Sequence, residues 1–600
     1  MSEAHAQAIP RPFSLPLEIG VNMSSSHTIQ ALQSPLEANI SKAEDSIQPE
    51  KWMPPQTGIV PSIRVGQRWI SILWVVPLAV VFLIVAIAAA QQLRTFPAIQ
   101  GFIQRYPGDA APTPITSGFP LWLRLMHFFN FFFMMFIIRA GLQILADYPR
   151  LFLRRDCTPG SEWFRFQHDV PKDRPWTSKD DSVTIPKWLG IPGIRHSVGL
   201  ARWWHFSFDL LWVLNGLVFY ALIFSTDQWK RIVPTTWSVF PNALSTLIQY
   251  LSLQFPVEHG WTMYNGLQLL VYFITVFIAG PLAFVTGVLQ GPAFSNKLGL
   301  IAKILNRQMA RTIHFAVLCW FLFFIFIHTT LALITGMREN LNRIFVGIND
   351  ASSWTGFWIY LLILALLITA WFLVSPFTIQ HARRVQKIGE ALVGSIQSLA
   401  ELWSPNTTYS EKDISPYFWV NGTLPSSKEY DALAQGGFTD YQLRIGGLVE
   451  NPREISYAEL KELPKQEQIT KHFCIQGWSG VAKWGGVPMR HLIEIVRPAP
   501  EALYVVFYSF AEGAVGGIYY DVHSLRNMRH KLSLLAYEMN GEPLNLLHGA
   551  PLRLRCENQL GFKMVKWIRS IEFVRDYAHL GSGQGGYNED HEYYGYHMPI

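Results

Sequence analysis

The sequence predicts an all-α bundle of six transmembrane helices followed by a soluble α+β domain. Three observations carry that reading. Half of the 600 residues are hydrophobic and only 15% are charged. Six apolar stretches, at 69–90, 121–146, 204–225, 264–287, 312–335 and 354–374, are each long enough to span a bilayer core of about 30 Å. From about Ser404 the long apolar runs give way to short alternating ones separated by turn residues.

Residues 1–65 are polar and Ser/Pro-rich, with no apolar leader core, and are expected to form a mostly disordered cytoplasmic tail. Trp69, Trp122, Trp203, Trp204, Tyr264 and Trp354 mark the ends of the spans, as interfacial aromatics do. Lys and Arg number ten in the loop 147–202, four in 288–311 and three in 375–405, against two in each of 91–120, 226–262 and 336–353. Counting positive charges therefore places both termini in the cytoplasm, with 66–376 as the membrane domain of an inner-membrane protein. After Pro376 the stretch 377–404 reads as a basic, amphipathic linker helix on the membrane surface. Residues 405–580 are long enough for one globular domain. Within them DYQLRIGGLVE, ALYVVFYSF, GGIYYDV, PLRLRC and SIEFV read as strands. The Gly- and Tyr-rich end, 581–600, is expected to be an extended tail.

The four cysteines, Cys157, Cys319, Cys474 and Cys556, form no CxxC pair. That excludes a zinc knuckle, a c-type haem attachment and an obvious iron–sulfur cluster. Nothing predicts a nucleic-acid partner.

His314 and His328 lie fourteen residues apart on one apolar helix, about 21 Å along its axis and within roughly 40° of the same face. An intramembrane histidine is costly and functional by default. With the topology above, His205 lies level with His314 on the cytoplasmic side, and His127 level with His328 on the outer side. Two pairs at two depths fit two b-type haems, each with both axial positions filled by histidine, and such haems carry electrons. Arg202 and Arg311 each precede an inner histidine by three residues and are expected to salt-bridge haem propionates.

The segments LRLMHFFNFFFMMFIIRAGL, RWWHFSFDLLWVLNGL and RTIHFAVLCWFLFFIFIHTTLALITG resemble the di-haem cytochrome b561 superfamily, in the branch of formate dehydrogenase gamma subunits. The resemblance covers about 120–376. It implies a four-helix di-haem core, the same two histidine pairs, and exchange of electrons with a membrane quinone or quinol. The span at 69–90 is an addition to that core.

In the soluble part, Cys474 by itself fits a buried filler, a nucleophile or a metal ligand. Its surroundings are similar to the sulfite-oxidase-like molybdopterin domain, which also covers the bacterial methionine-sulfoxide-reducing catalytic subunit. ISPYFWVNGTLP, CIQGW with KWGGVPM, VVFYS, LLAYEMNGEPLNLLHGAPLRL and GFKMVKWIRSIEF match in order over roughly 405–575. The resemblance implies that Cys474 supplies a thiolate to molybdenum. It implies that His548, Arg553 and Lys566, with the backbone at Met564 and Val565, hold the molybdopterin. Ser415, Phe418, Trp419 and Ser509 match further pterin contacts. Tyr520 and Asp521 are expected at the pocket, Tyr520 as a catalytic group.

Sulfite oxidases usually carry Asn and Arg soon after the cysteine. Ile475, Gln476, Gly477 and Trp478 stand here instead, which favours a small, less charged substrate. The expectation is a membrane-bound molybdenum oxidoreductase that couples oxygen-atom transfer, with S- or N-oxide reduction favoured, to a quinone pool. Two alternatives stay open. One is sulfite-type oxidation feeding quinone, and the other is a cofactor-free binding or sensor module on a cytochrome b conduit.

Overall fold

A computed structural model describes residues 40, 42, 46–47, 60–108, 118–166, 168–256, 260–291, 305–399 and 409–600. Six of its helices are long and apolar enough to cross a membrane: α1 (Ile72–Leu93), α2 (Leu121–Asp147), α3 (Val198–Ser225), α4 (Gly266–Gln290), α5 (Arg307–Ile334) and α6 (Thr355–Gln380). Each overlaps one expected stretch, with residues 69–71 of the first taken into a strand, and α3 and α5 begin five or six residues earlier than their apolar runs. Those extra turns carry Arg202, Arg307 and Arg311, whose charges end a hydropathy signal without ending a helix. A π-helical turn, Ile274–Ala279, runs through the middle of α4.

Most of the expected tail 1–65 falls outside the described residues. Its described end is ordered: Ile47 is buried and its N–H donates to Ile379 O at 3.0 Å, and Ser62–Val65 forms strand β1. β1 pairs with β2 (Arg68–Ser71) and joins β3 (Arg150–Leu151) and β4 (Phe164–Arg165) in a sheet of order β2-β1-β4-β3. The loop between α2 and α3 is therefore a folded platform. Arg150, wholly buried, anchors it on Glu162 at 2.6 Å and Asp181 at 2.7 Å. A buried guanidinium needs such partners, because an unpaired one costs several kcal/mol or about that order.

The linker is helix α7 (Ala382–Leu399), separated from α6 by a break at His381. Residues 400–408, including the rest of the expected linker, lie outside the described set. The soluble domain has two sheets. One has order β10-β9-β14-β5-β6, built from β5 (Gln442–Gly447), β6 (Arg453–Ser456), β9 (Tyr504–Glu512), β10 (Ile518–Ser524) and β14 (Ile568–Val574). The other has order β12-β11-β8-β7, with β13 on β11. It uses β7 (Gln466–Phe473), β8 (Ser479–Pro488), β11 (Ser533–Met539), β12 (Glu542–Pro543) and β13 (Arg553–Cys556). One apolar core, with Leu443, Trp484, Phe507, Leu535 and Ile571, lies under both sheets. All five strands read from the sequence are present.

The expected extended tail, 581–600, is a correction. Residues 587–594 are buried, and α8 (Tyr587–His591) lies among them. Arg383 of α7 donates to Glu589 O and Asp590 O, and Trp203 of α3 donates to Tyr593 O at 2.8 Å. Glycines and polar residues made this stretch look loose. The aromatic rings Tyr593 and Tyr594 instead supply the apolar area that docks it.

Candidate functional site

β7 ends at Phe473 and β8 begins at Ser479, so the loop Cys474–Trp478 is a tight reversal at one end of a hairpin. Cys474 N–H donates to Trp478 O at 3.0 Å and Gly477 N–H to Cys474 O at 3.1 Å. Gly477 has φ +118°, a region that only glycine enters freely. The loop points Cys474 Sγ into a cavity whose empty volume is about 920 Å³, lined among others by Phe418, Trp419, Asn421, His472, Trp478, His548, Arg553, Met564 and Lys566.

The thiol is buried, and burial pushes its pKa up to about 12. Alone it stays protonated at neutral pH and is a poor nucleophile. A metal cation in the cavity would displace the proton, because coordinated thiols ionise. Asn421 Nδ2 lies 3.8 Å and Gln476 Oε1 3.7 Å from the sulfur.

Opposite the thiol the cavity is cationic. Arg553 donates to His548 O at 2.9 Å, and its buried Nε has no partner. Lys566 Nζ reaches Leu547 O at 2.9 Å and Asn421 O at 2.5 Å. Burial holds Lys566 and Arg553 well below their usual pKa values, with neighbouring guanidiniums adding to the effect. Burial, then Arg553 and Lys566, push His548 down to about 3. This wall is costly until an anion enters, and a phosphate is the anion a cationic fork suits. The thiol and the unsatisfied cations therefore fit a phosphorylated metal cofactor.

Not every expected residue reaches this cavity. Phe418, Trp419, His548, Arg553, Met564 and Lys566 line it, whereas Val565 points into the apolar core. Ser415 and Ser509 support it from behind: Ser415 Oγ accepts from Val481 N–H, and Ser509 Oγ donates to Lys566 O at 2.7 Å. Tyr520 and Asp521 are corrections. Tyr520 is fully buried, with its hydroxyl on Asp590 Oδ2 at 2.5 Å, and Asp521 pairs with Lys563. Side chains alternate along β10, so Tyr519 and Tyr520 take opposite faces, beside an irregularity in the pairing with β9 between Ile518 and Tyr520. Tyr519 faces the cavity instead. Sequence reasoning also missed Asn421, His472 and the C-terminal residues Asn588, Glu592 and Tyr594. The last three lie beyond the strand motifs and carry no spacing signal.

In the bundle, the histidines meet as the two expected pairs. The rings of His205 and His314 have centroids 6.4 Å apart, and those of His127 and His328 6.1 Å. One metal between two imidazoles, with bonds of about 2.0 Å, separates the centroids by about 6.2 Å. The other ring nitrogens are held: His205 Nδ1 by Ile137 O at 3.0 Å, His314 Nδ1 by Thr286 Oγ1 at 3.0 Å, and His328 Nδ1 by Tyr272 OH at 3.2 Å. Such partners fix the tautomer and aim of a ligating imidazole. A Cβ at Gly141 would lie 3.1 Å from His205 Cε1, so the missing side chain leaves room beside that ring.

The cysteine loop is seated on the bundle. Arg307, in the first turn of α5, donates to Trp478 O at 3.1 Å and Cys474 O at 3.4 Å, and Gln308 donates to Gly477 O at 3.1 Å. Ser178 of the platform donates to Gln476 Oε1 at 2.7 Å. Arg311 is committed to Tyr148 O and Arg150 O. Arg202 borders a smaller cavity with Ile475 and Tyr594, and its Nε has no partner.

Residues 118–347 match the prokaryotic cytochrome b561 family, and residues 432–579 match the oxidoreductase molybdopterin-binding domain. A putative protein-methionine-sulfoxide reductase subunit, YedZ1, of Azospira oryzae is 29% identical over 30% of this chain and 65% of its own length. The protein-methionine-sulfoxide reductase catalytic subunit MsrP of Xanthomonas axonopodis pv. citri is 33% identical over 27% of this chain. This chain spans only 54% of that relative. The uncharacterized oxidoreductase YuiH of Bacillus subtilis is 32% identical over 27% of this chain and 80% of its own length. Through its soluble domain the chain belongs to the molybdopterin-binding oxidoreductases, and the multi-pass membrane bundle joined to that domain in one polypeptide carries the match to the prokaryotic cytochrome b561 family.

Proposed function

We propose that this enzyme reduces a small S- or N-oxide with electrons drawn from membrane quinol. The observation that carries the reading is the seating of the Cys474 loop on the first turn of α5, two turns before His314. Seven residues of helix place the metal-ligand loop about 10 Å along the axis from a histidine pair. Bound, molybdenum with a single molybdopterin would supply oxygen-atom transfer, and two b-type haems would supply one-electron carriage.

The residues of the chain have separable roles in this scheme. Cys474 would hold the metal, and Arg553, Lys566 and His548 would hold the pterin phosphate. His205 with His314, and His127 with His328, would each hold one haem iron, and Arg202 would meet a propionate of the inner haem. Ile475 and Gln476 flank the thiol with uncharged groups, which suits a neutral oxide better than a dianion. The names of the relatives YedZ1 and MsrP support an S-oxide as the substrate class. The positive-charge bias of the loops supports a cytoplasmic side for the soluble domain and both termini, with the bundle in an inner membrane.

The test is optical. Detergent-purified protein is reduced until its haem bands appear, the excess reductant is removed, and S- and N-oxides are added. Reoxidation of the haem bands by such a compound is expected. A full set of oxides that leaves the haems reduced, in protein shown to contain molybdenum, would overturn the reading.

A further inference from the structure

Three tyrosines border the Cys474 cavity: Tyr519, Tyr587 and Tyr594. The first two have hydroxyls committed to the fold. Tyr519 OH donates to Phe562 O at 2.9 Å and accepts from Asn588. Tyr587 OH donates to Gly516 O and accepts from Val515 N–H. Tyr594 differs, because its hydroxyl is bonded to the carboxylate of Glu592. Glu592 Oε1 in turn meets His196 Nε2 at 3.2 Å and Lys179 Nζ at 3.0 Å, and His196 Nδ1 meets Asp147 Oδ1 at 3.2 Å. The side chains of His196, Glu592 and Asp147 are 3%, 6% and 0% exposed, and Lys179, at 14%, lines the cavity as Glu592 does.

This line of groups joins three distant parts of the sequence. Lys179 and His196 come from the platform, Asp147 from the end of α2, and Glu592 and Tyr594 from the C-terminal segment. The docking is specific, since a Cβ at Gly199 would fall 2.5 Å from Tyr594 Cδ1. Asp147, Cys474 and Arg202 are the other charged or titratable groups near Tyr594.

We propose that Tyr594 is the proton donor to the substrate oxygen in the Cys474 cavity, resupplied through Glu592 and His196. The inference rests on the reading of the reaction as oxide reduction. There R₂SO, two electrons and two protons give R₂S and H₂O. The S–O bond breaks, sulfur keeps a lone pair, and the oxygen leaves as water. The electrons come from quinol, and groups that line the cavity are the route for the protons. The Tyr594 O–H bond gives its proton to that oxygen. The His196 imidazolium passes a proton to the ionised Glu592 carboxylate, which hands it on to the phenolate, and a second passage along the same line supplies the second proton of the water. Burial, then Glu592, keep the phenol pKa well above its usual value, so the donor is loaded at neutral pH. Glu592 and His196 are positioning residues that act through Tyr594.

The experiment uses the full-length, detergent-purified holoenzyme with a reduced viologen as electron donor and dimethyl sulfoxide or trimethylamine N-oxide as substrate. Molybdenum and haem contents are measured on each sample. Tyr594→Phe keeps the ring that packs 4.7 Å from Phe562. It is expected to lower kcat by about 100-fold or more with KM within about twofold, as loss of a general acid does. His196→Gln, which lies outside the cavity lining, should keep full metal content and flatten the pH profile of kcat. A second readout needs no turnover: the pH dependence of the molybdenum EPR spectrum should be lost in Tyr594→Phe. Wild-type kcat and an unchanged EPR pH dependence in Tyr594→Phe would overturn the relay. Should that variant lose molybdenum, His196→Gln with a wild-type pH profile would overturn it instead. Failure of the wild type to reduce either oxide with the viologen would sink the functional reading itself, while the EPR comparison still tests Tyr594.

Discussion

Arg307 and Cys474 are joined across the boundary between the two halves of the chain: the guanidinium on the first turn of α5 donates to the Cys474 carbonyl at 3.4 Å and to Trp478 O at 3.1 Å. One side chain therefore holds both ends of the cysteine loop against the helix that carries His314 and His328. Hydrogen bonds from a charged donor are worth about 1.5–3 kcal/mol each, enough to fix the loop's distance from the bundle.

Arg307→Gln should loosen this seat without removing any proposed ligand. Quinol-driven oxide reduction is expected to fall by about tenfold. Turnover with a viologen that reduces the metal directly should change by less than about twofold. Stopped-flow reoxidation of the haem bands by substrate measures the difference, and equal losses with both donors would refute it.

His314→Ala and His127→Ala should each remove one of the two axial pairs. The expected haem content, by pyridine haemochrome assay, falls from two to one per chain in either variant. Electron transfer to substrate is lost in both, because each pair lies on the single path. A content that stays at two would show that these rings are not iron ligands.

Cys474→Ser is expected to abolish oxide reduction while leaving the haem spectra intact. The thiol is buried, and its hydrogen-bond neighbours Asn421 and Gln476 both belong to the soluble domain, so the fold should lose less than about 1 kcal/mol. Unchanged activity would favour the binding-module reading over molybdenum chemistry.

Docking of the C-terminal segment should depend on pH through His196. Burial lowers its pKa, and the carboxylates of Glu592 and Asp147 outweigh that, so the folded value stands above the ordinary imidazole value. A raised folded pKa means that the contribution is complete below about pH 6.5 and is lost as pH rises through the folded value. Hydrogen exchange of residues 587–594 should therefore speed up at alkaline pH beyond the intrinsic base dependence. In His196→Gln that extra dependence should vanish. Glu592 has the opposite sign: the cations beside it overcome burial and depress its pKa, so its contribution is present above the usual carboxylate range.

The residues of the sequence by themselves determined the six spans, five of the strands and the pairing of His205 with His314 and His127 with His328. Those features follow from local periodicity and from the bilayer's fixed thickness, both of which can be read along the chain. The likeness of CIQGW and HGAPLRL to known motifs added Cys474, His548 and Arg553. Only the tertiary structure decided the rest. Which of Tyr519 and Tyr520 faces the cavity turned on how β10 is laid against β9, whose pairing is irregular between Ile518 and Tyr520. The platform, the Arg307 seat and the C-terminal clamp bring together residues about 170 to 400 positions apart. Their hydrogen bonds exist only once two separately folded surfaces meet, and no spacing along a chain encodes that meeting.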